Sequence, residues 1–198
     1  MNLSERQKKL LKRTFLDYQQ TLGFIQNPLI IHRAEGIYYW DVAGKRYFDG
    51  ISGIFVATLG HRHPRVMTAM QNQMEILSFA PPMHGIADVT LDFVEKLGEI
   101  TPGNLNYVKS YSGGSESIES AIKFTRQYFK QTGYPGKYKF ISRYFGYHGA
   151  TFGAMSASGT GKRKTGFEPQ MGGFWKVFPP TYYRDRFSTW EECNRFCA

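Results

Sequence analysis

The run Tyr111-Ser112-Gly113-Gly114-Ser115-Glu116 lies between a short strand-like stretch, residues 107–111, and a long stretch with helical periodicity. Strand, glycine turn and helix in that order aim several backbone N–H groups, and the positive end of the helix dipole, at one point. Anion binding is the chemistry suited to such a point; on these residues alone, a plain glycine turn is an equal reading. One strand-helix unit later comes a second turn, Gly146-Tyr147-His148-Gly149, which sets an aromatic ring beside an imidazole. Glu116 and Glu119 stand within one helical turn and could form a carboxylate pair, but acids at the start of a helix are more ordinarily partners of its dipole. Cys193 and Cys197 also stand one turn apart. No histidine or second cysteine pair accompanies them, which argues against zinc.

Other chemistries are excluded by letter. A serine-hydrolase elbow needs Gly-x-Ser-x-Gly, and Gly113-Gly114-Ser115-Glu116 is followed by Ser117. A P-loop fails because Ser156 stands five residues before Gly161-Lys162 and Arg163 follows. No Gly-x-Gly-x-x-Gly opens a helix.

The elements that must position these turns follow from spacing. Ser4 and Gln7 form a capping-box pattern, Leu10, Leu11, Phe15, Leu16 and Leu22 recur at helical intervals, and Gly23 is the expected stop. Residues 36–41 and 45–49 predict a β-hairpin around a Val-Ala-Gly turn. Residues 51–62 read as a Gly-rich loop. Pro64 opens a helix whose stripe Val66, Met67, Met70, Met74 and Leu77 is expected to be core. Two prolines make 79–85 irregular. Further helices are expected at 88–99, 115–131 and about 149–158, and strands at 107–111 and 138–142, with a loop-rich tail from Gly159. Alternating strands and helices predict an α/β fold with a parallel sheet.

Hydrophobic residues at 41% and charged residues at 21% describe a folded globular chain rather than a disordered one. No apolar run approaches a membrane span, no secretory signal is visible, and two cysteines make no disulfide framework, so a cytoplasmic setting without membrane partners is expected. The net charge of +9 includes five basic residues in 1–13 and nine in 137–186. Without any helix-turn-helix, zinc-finger or RNA-sheet signature, this reads as solvated surface rather than a nucleic-acid face.

Taken in order, four motifs resemble the class III aminotransferases, the ω-transaminase branch of the fold type I pyridoxal-phosphate enzymes. Gly36-Ile37-Tyr38-Tyr39-Trp40-Asp41 with Gly44, Tyr47 and Asp49 is similar to the family's N-terminal hairpin. Asp49-Gly50-Ile51-Ser52-Gly53 through Gly60-His61-Arg62-His63-Pro64 is similar to its substrate loop and next helix start. Ser112-Gly113-Gly114-Ser115-Glu116 resembles its phosphate cup. Tyr147-His148-Gly149-Ala150-Thr151 with Ser156-Ala157-Ser158-Gly159 resembles the turn and helix behind the cofactor. The similarity runs along nearly the whole chain.

The resemblance implies an N-terminal small-domain segment at 1–50, helix plus hairpin, and the first part of the large cofactor-binding domain at 51–198. It implies pyridoxal 5'-phosphate as cofactor, amine and keto acid substrates, and a homodimer with shared active sites. Gly113 and Gly114 would let the main chain approach the phosphate, with the N–H groups of Gly114 and Ser115 and the Ser115 hydroxyl meeting its oxygens. Tyr147 would lie against the pyridine ring, with Gly149 behind it; a core tyrosine is the alternative. His148 would be a packing or hydrogen-bonding residue with no proton-transfer role, and Glu116 would help orient the cup. Phe55 and Met83 would reach the substrate, or serve as ordinary core or interface residues. No catalytic residue is assigned, because no lysine here matches the Schiff-base position, and the aspartate for the pyridine nitrogen and the partner subunit's threonine are likewise unmatched. The expectation is an N-terminal fragment, inactive alone. A same-fold aminomutase, a decarboxylating transaminase and a non-catalytic scaffold stand as alternatives.

Overall fold

The computed structural model describes residues 3–180 and 189–197. The chain falls into two compact units, Met1–Phe93 and Val94–Ala198. This is a division by packing, drawn at a different place from the 1–50 and 51–198 division by resemblance.

In the first unit the capping box forms. The Gln7 N–H donates to Ser4 Oγ at 3.2 Å, and the Ser4 N–H to Gln7 Oε1 at 2.8 Å. The helix it starts does not run to Gly23. Helix α1 (Glu5–Leu11) stops, Tyr18 takes a left-handed φ of 58° through which no right-handed helix continues, and α2 (Thr21–Gln26) carries Gly23 inside it. The expected hairpin, β2 (Tyr38–Asp41) and β3 (Arg46–Phe48), gains a third antiparallel strand, β1 (Ile31–Glu35), giving the order β1-β2-β3. Arg33 of β1 lies over the Trp40 ring of β2 at 3.6 Å, a cation–π contact that pairs a surface arginine with an aromatic face. The hairpin turn is built by Asp41. Its carboxylate accepts the Ala43 and Lys45 N–H groups and the Tyr47 hydroxyl, each at 2.9 Å, and Gly44 takes the positive φ of 81° that the reversal requires.

Within the loop 51–62 is one tight turn, α3 (Ser52–Phe55), whose four residues all have positive φ, from 49° to 68°. Helices α4 (Pro64–Ile76) and α5 (Asp88–Ile100) follow as expected, with Pro64 in the first turn. The α4 stripe is not core: Val66, Met67, Met70, Met74 and Leu77 are exposed. Helical spacing marks a face that seeks cover, and says nothing of whether the same chain supplies it.

In the second unit, residues 107–111 form no strand. A strand exists by pairing, no ladder reaches this segment among the described residues, and Tyr107 is 98% exposed. Helix α6 (Gly114–Gln131) is stopped at Gly133, which takes φ +87°. Strand β4 (Phe140–Arg143) leads to α7 (Phe152–Ala157), shorter than the expected 149–158 because residues 147–151 are extended turn. The tail is more ordered than expected. A short helix α8 (Gly161–Lys164) and a 3-10 turn (Thr165–Phe167) precede β5 (Phe174–Val177), which pairs parallel with β4, and α9 (Trp190–Cys197) follows. The parallel pair confirms the α/β reading. The core lies between α6, α7 and the inner face of β4–β5. Ile122, Ala154 and Ala157 are buried there, and the Phe140 and Phe174 rings stack at 5.6 Å across the strands. The buried residues of α7, Gly153, Ala154, Ser156 and Ala157, are all small, which lets its backbone lie close to both α6 and the sheet.

Candidate functional site

Helix α6 begins abruptly. Gly113 precedes it with extended backbone, φ −160° and ψ 165°, and supplies no side-chain cap; the first helical bond runs from the Ser117 N–H to the Gly113 carbonyl at 3.1 Å. The N–H groups of Gly114, Ser115 and Glu116 therefore have no acceptor inside the helix and point beyond its positive end. A Cβ added at Gly113 or Gly114 would meet nothing within 4 Å among the described residues beyond its own chain neighbours and helix backbone. Nothing in the chain's own packing or backbone angles demands glycine at either place. A pair of glycines lining donor groups is what close approach of an external anion demands.

Ser115 is held from the second turn. Its Oγ accepts the Ala150 N–H at 2.9 Å. A serine hydroxyl accepts through a lone pair and keeps its proton, so the O–H remains able to donate to an anion. Gly149 makes that approach possible. Its φ is +139°, and a Cβ there would stand 2.6 Å from Ser115 Oγ and 2.9 Å from Ser115 Cα. The neighbouring residues are fastened to the far end of α7: the His148 N–H donates to Ser158 Oγ at 2.9 Å, and the Gly159 N–H to the Gly146 carbonyl at 2.8 Å. The structure thus brings Gly113, Gly114, Ser115, His148 and Gly149 into one connected cluster. Tyr147 is 54% exposed on the same turn, with the Arg163 guanidinium 5.9 Å from its ring centroid. That arginine contact had no sequence signal, since it depends on how α8 returns to the turn.

Glu119 has a role of its own. It is the dipole partner not of its own helix but of α7, accepting from Thr151 Oγ1 at 2.6 Å, the Gly153 N–H at 2.7 Å and the Ala154 N–H at 3.1 Å. Burial pushes its carboxyl up, but the Thr151 hydroxyl, then the Ala154 and Gly153 N–H groups, hold it below the usual range. Glu116, by contrast, is exposed. The carboxyl-terminal end of α7 is closed as well. Lys176 Nζ donates to the Ser156 carbonyl at 2.7 Å and Ser142 Oγ to the Ala157 carbonyl at 2.6 Å. Burial, then Lys164, push the Lys176 ammonium below its ordinary value.

Phe55 and Met83 belong to the first unit. Phe55 is 80% and Met83 91% exposed, so neither is core within it. Phe55 rides on the left-handed turn α3, which hangs from a buried carboxylate. Asp49 accepts the Gly53 N–H at 2.8 Å, His61 Nε2–H at 2.7 Å and, more weakly, the Ile51 N–H at 3.4 Å. Burial raises the Asp49 carboxyl, but His61, Tyr39 and the two N–H groups outweigh it and hold it below the usual range. The loop is further stapled to the hairpin by a two-way bridge between Gly36 and His61, 3.0 and 2.7 Å. No sequence pattern announces Asp49 as a hub; its donors come from three separate segments. Among the described residues no three His, Cys, Asp or Glu side chains gather as a metal site. Of the Cys193–Cys197 pair, Cys193 is buried and the side chain of Cys197 lies outside the described residues.

The class-III aminotransferase family pattern matches residues 23–196, most of the chain. This chain belongs to the class-III aminotransferases. It is 39% identical over 175 residues to a probable aminotransferase of Mycobacterium tuberculosis, an alignment covering 88% of this chain and 37% of that one. Among solved structures, the ω-transaminase of Pseudomonas jessenii in complex with PMP superposes with a TM-score of 0.88 at 32% identity, covering 93% of this chain and 41% of that one. An (S)-enantioselective ω-transaminase of Thermomicrobium roseum superposes with a TM-score of 0.83 at 34% identity, covering 89% and 39%. The chain spans about two fifths of the length of the relatives it matches. The class-III aminotransferases depend on pyridoxal phosphate. The α6 end of this aminotransferase chain fits the phosphate of that cofactor: three N–H donors with no acceptor among the described residues, a hydroxyl proton and two glycines whose missing side chains leave room.

Proposed function

We propose that the natural protein carrying this chain moves amino groups between an amine or ω-amino acid and a keto acid such as pyruvate, and that the α6 end holds the phosphate of its pyridoxal phosphate. The observation that carries this is the bare α6 terminus, with Ser115 Oγ pinned by Ala150 and its proton left to donate. Backbone N–H groups of Gly114 and Ser115 would donate to the phosphate and stabilise its charge with little reorganisation, because the helix has already set them. Tyr147 offers an aromatic face to the cofactor ring. Phe55 and Met83, two exposed apolar side chains on loops, are assigned to the substrate because such side chains suit an amine's carbon skeleton. The cofactor supplies the electron sink that makes the substrate's α-proton removable. No lysine of this chain matches the Schiff-base position that the family resemblance implies, and on this reading the chain alone is inactive. The active protein is a dimer with shared sites.

The test uses the natural protein with pyridoxal phosphate, a panel of amine donors and pyruvate, with alanine as the readout. Alanine should form with at least one donor. A protein that binds the cofactor yet yields no alanine from any of them is not this kind of transaminase. Ser115→Asp places a carboxylate against the phosphate dianion, a repulsion that exceeds one lost hydrogen bond. A Ser115→Asp variant that titrates with cofactor as wild type does would mean the cup is elsewhere.

A further inference from the structure

Ser115 and Glu119 are four residues apart on α6, so they stand one above the other on the same helix face. The segment they meet has a matching period: Gly149 and Gly153, also four apart. A Cβ at Gly149 would collide with Ser115, and a Cβ at Gly153 would collide with the Glu119 carboxylate. At the upper rung Ser115 Oγ accepts the Ala150 N–H; at the lower rung Glu119 gathers Thr151 Oγ1 and the Gly153 and Ala154 N–H groups. Two rungs of one helix therefore hold the stretch 149–154 through four of its residues, Ala150, Thr151, Gly153 and Ala154. The lower rung makes three bonds and the upper rung one.

The asymmetry sets the direction of dependence. The Ser115 hydroxyl can rotate, and the Ala150 N–H, by engaging one of its lone pairs, restricts where its proton can face. Among the described residues Ala150 makes no other hydrogen bond; its place follows from Thr151, whose hydroxyl Glu119 holds and whose carbonyl accepts the Met155 N–H of α7 at 2.7 Å. The opposite end of α7 is fastened independently by Lys176 and Ser142, so the loss of Glu119 would free the amino-terminal end alone.

We propose that Glu119 is a positioning residue for the cofactor's phosphate: by capping α7 from α6, it fixes Ala150 and so aims the Ser115 hydroxyl. It touches no part of the cofactor. The inference rests on the phosphate reading of the α6 end, and it assigns the dependence to the phosphate and not to the ring, because His148, the residue next to Tyr147, is fastened separately through Ser158.

The experiment measures dissociation constants of pyridoxal phosphate and of pyridoxal, which lacks the phosphate, on the natural protein and on Glu119→Ala and Glu119→Gln. The Ala variant should bind pyridoxal phosphate about tenfold more weakly, taking a lost helix cap as the guide, with pyridoxal binding unchanged. Glutamine keeps an oxygen acceptor at the same reach, so Glu119→Gln should restore affinity to within about threefold of wild type. Amide exchange at Ala150 should quicken in the Ala variant and not in the Gln variant. Equal losses for the two ligands, or none for either, would overturn the proposal. If Glu119→Ala does not fold, Thr151→Val removes one of the three bonds and must show the same phosphate-specific loss, about threefold; its absence overturns the proposal equally. A wild-type protein that binds pyridoxal phosphate no better than pyridoxal would refute the phosphate reading itself, whatever Glu119 does.

Discussion

Replacing Gly114 by alanine separates the needs of the chain from those of a ligand. Gly114 is the first residue of α6, where alanine is the better helix former, and its new Cβ meets nothing within 4 Å. Folding stability should hold or rise, by up to about 1 kcal/mol. The same methyl group stands where phosphate oxygens must approach the Gly114 and Ser115 N–H groups. Overpacking of that kind costs roughly 1–3 kcal/mol, or about 5- to 150-fold in affinity. Gly149→Ala should behave in the opposite way. Its Cβ would lie 2.6 Å from Ser115 Oγ and 2.8 Å from the Ala154 Cβ, at a φ of +139°. Overpacking and backbone strain together predict a stability loss of roughly 2–6 kcal/mol. Urea midpoints and cofactor titrations on both variants of the natural protein would show the contrast. A Gly114→Ala variant that binds pyridoxal phosphate like wild type, or a Gly149→Ala variant with an unmoved urea midpoint, would refute the reasoning.

Two further outcomes are expected. Tyr147→Phe keeps the ring face and should retain most cofactor affinity, whereas Tyr147→Ala should lose about 1–3 kcal/mol by equilibrium dialysis; equal behaviour of the two would return Tyr147 to an ordinary packing role. Asp41, Asp49 and Glu119 all have carboxyls held below their ordinary values in the folded chain. A depressed folded value stabilises above the unfolded one and loses that stability as pH falls through the folded value, so urea midpoints should hold at neutral pH and drop below about pH 4. Asp49→Asn should flatten that acid slope, and a slope identical to wild type would show that Asp49 does not carry it.

The parts of the fold legible in the sequence are those whose signals are local. Gly113-Gly114 before a periodic run marks the start of α6, Pro64 marks α4, and the Val-Ala-Gly turn marks the β2–β3 hairpin. What escaped is what depends on partners distant in sequence. Strand β5 sits in a stretch rich in glycine and proline and becomes a strand because β4 lies beside it; residues 107–111 have the strand letters and find no such neighbour. The candidate site divides the same way. Ser115, Tyr147 and Gly149 can be named from their motifs, but Glu119 reads as a first-turn acid because Thr151, which precedes the helix it caps, lies 32 residues further along the chain. Asp49 was visible only as a motif letter, its donors arriving from Gly53, His61 and Tyr39.

The left-handed turn Ser52–Phe55 is held almost entirely through main-chain groups: Asp49 takes the N–H of Gly53 and of Ile51, and the Ile51 carbonyl takes the N–H of Phe55. The side chains of Ile54, Phe55 and Val56 take no part in that support and stand in the open. Shape and identity are therefore written in different places along this loop. Descendants of one ancestral sequence can exchange an aromatic for an aliphatic or a polar side chain at 54–56 while the path of the backbone, set at 49 and 61, stays the same. A loop of this design is a ready site for diversification, in which new preferences arise by single substitutions without refolding the segment that presents them.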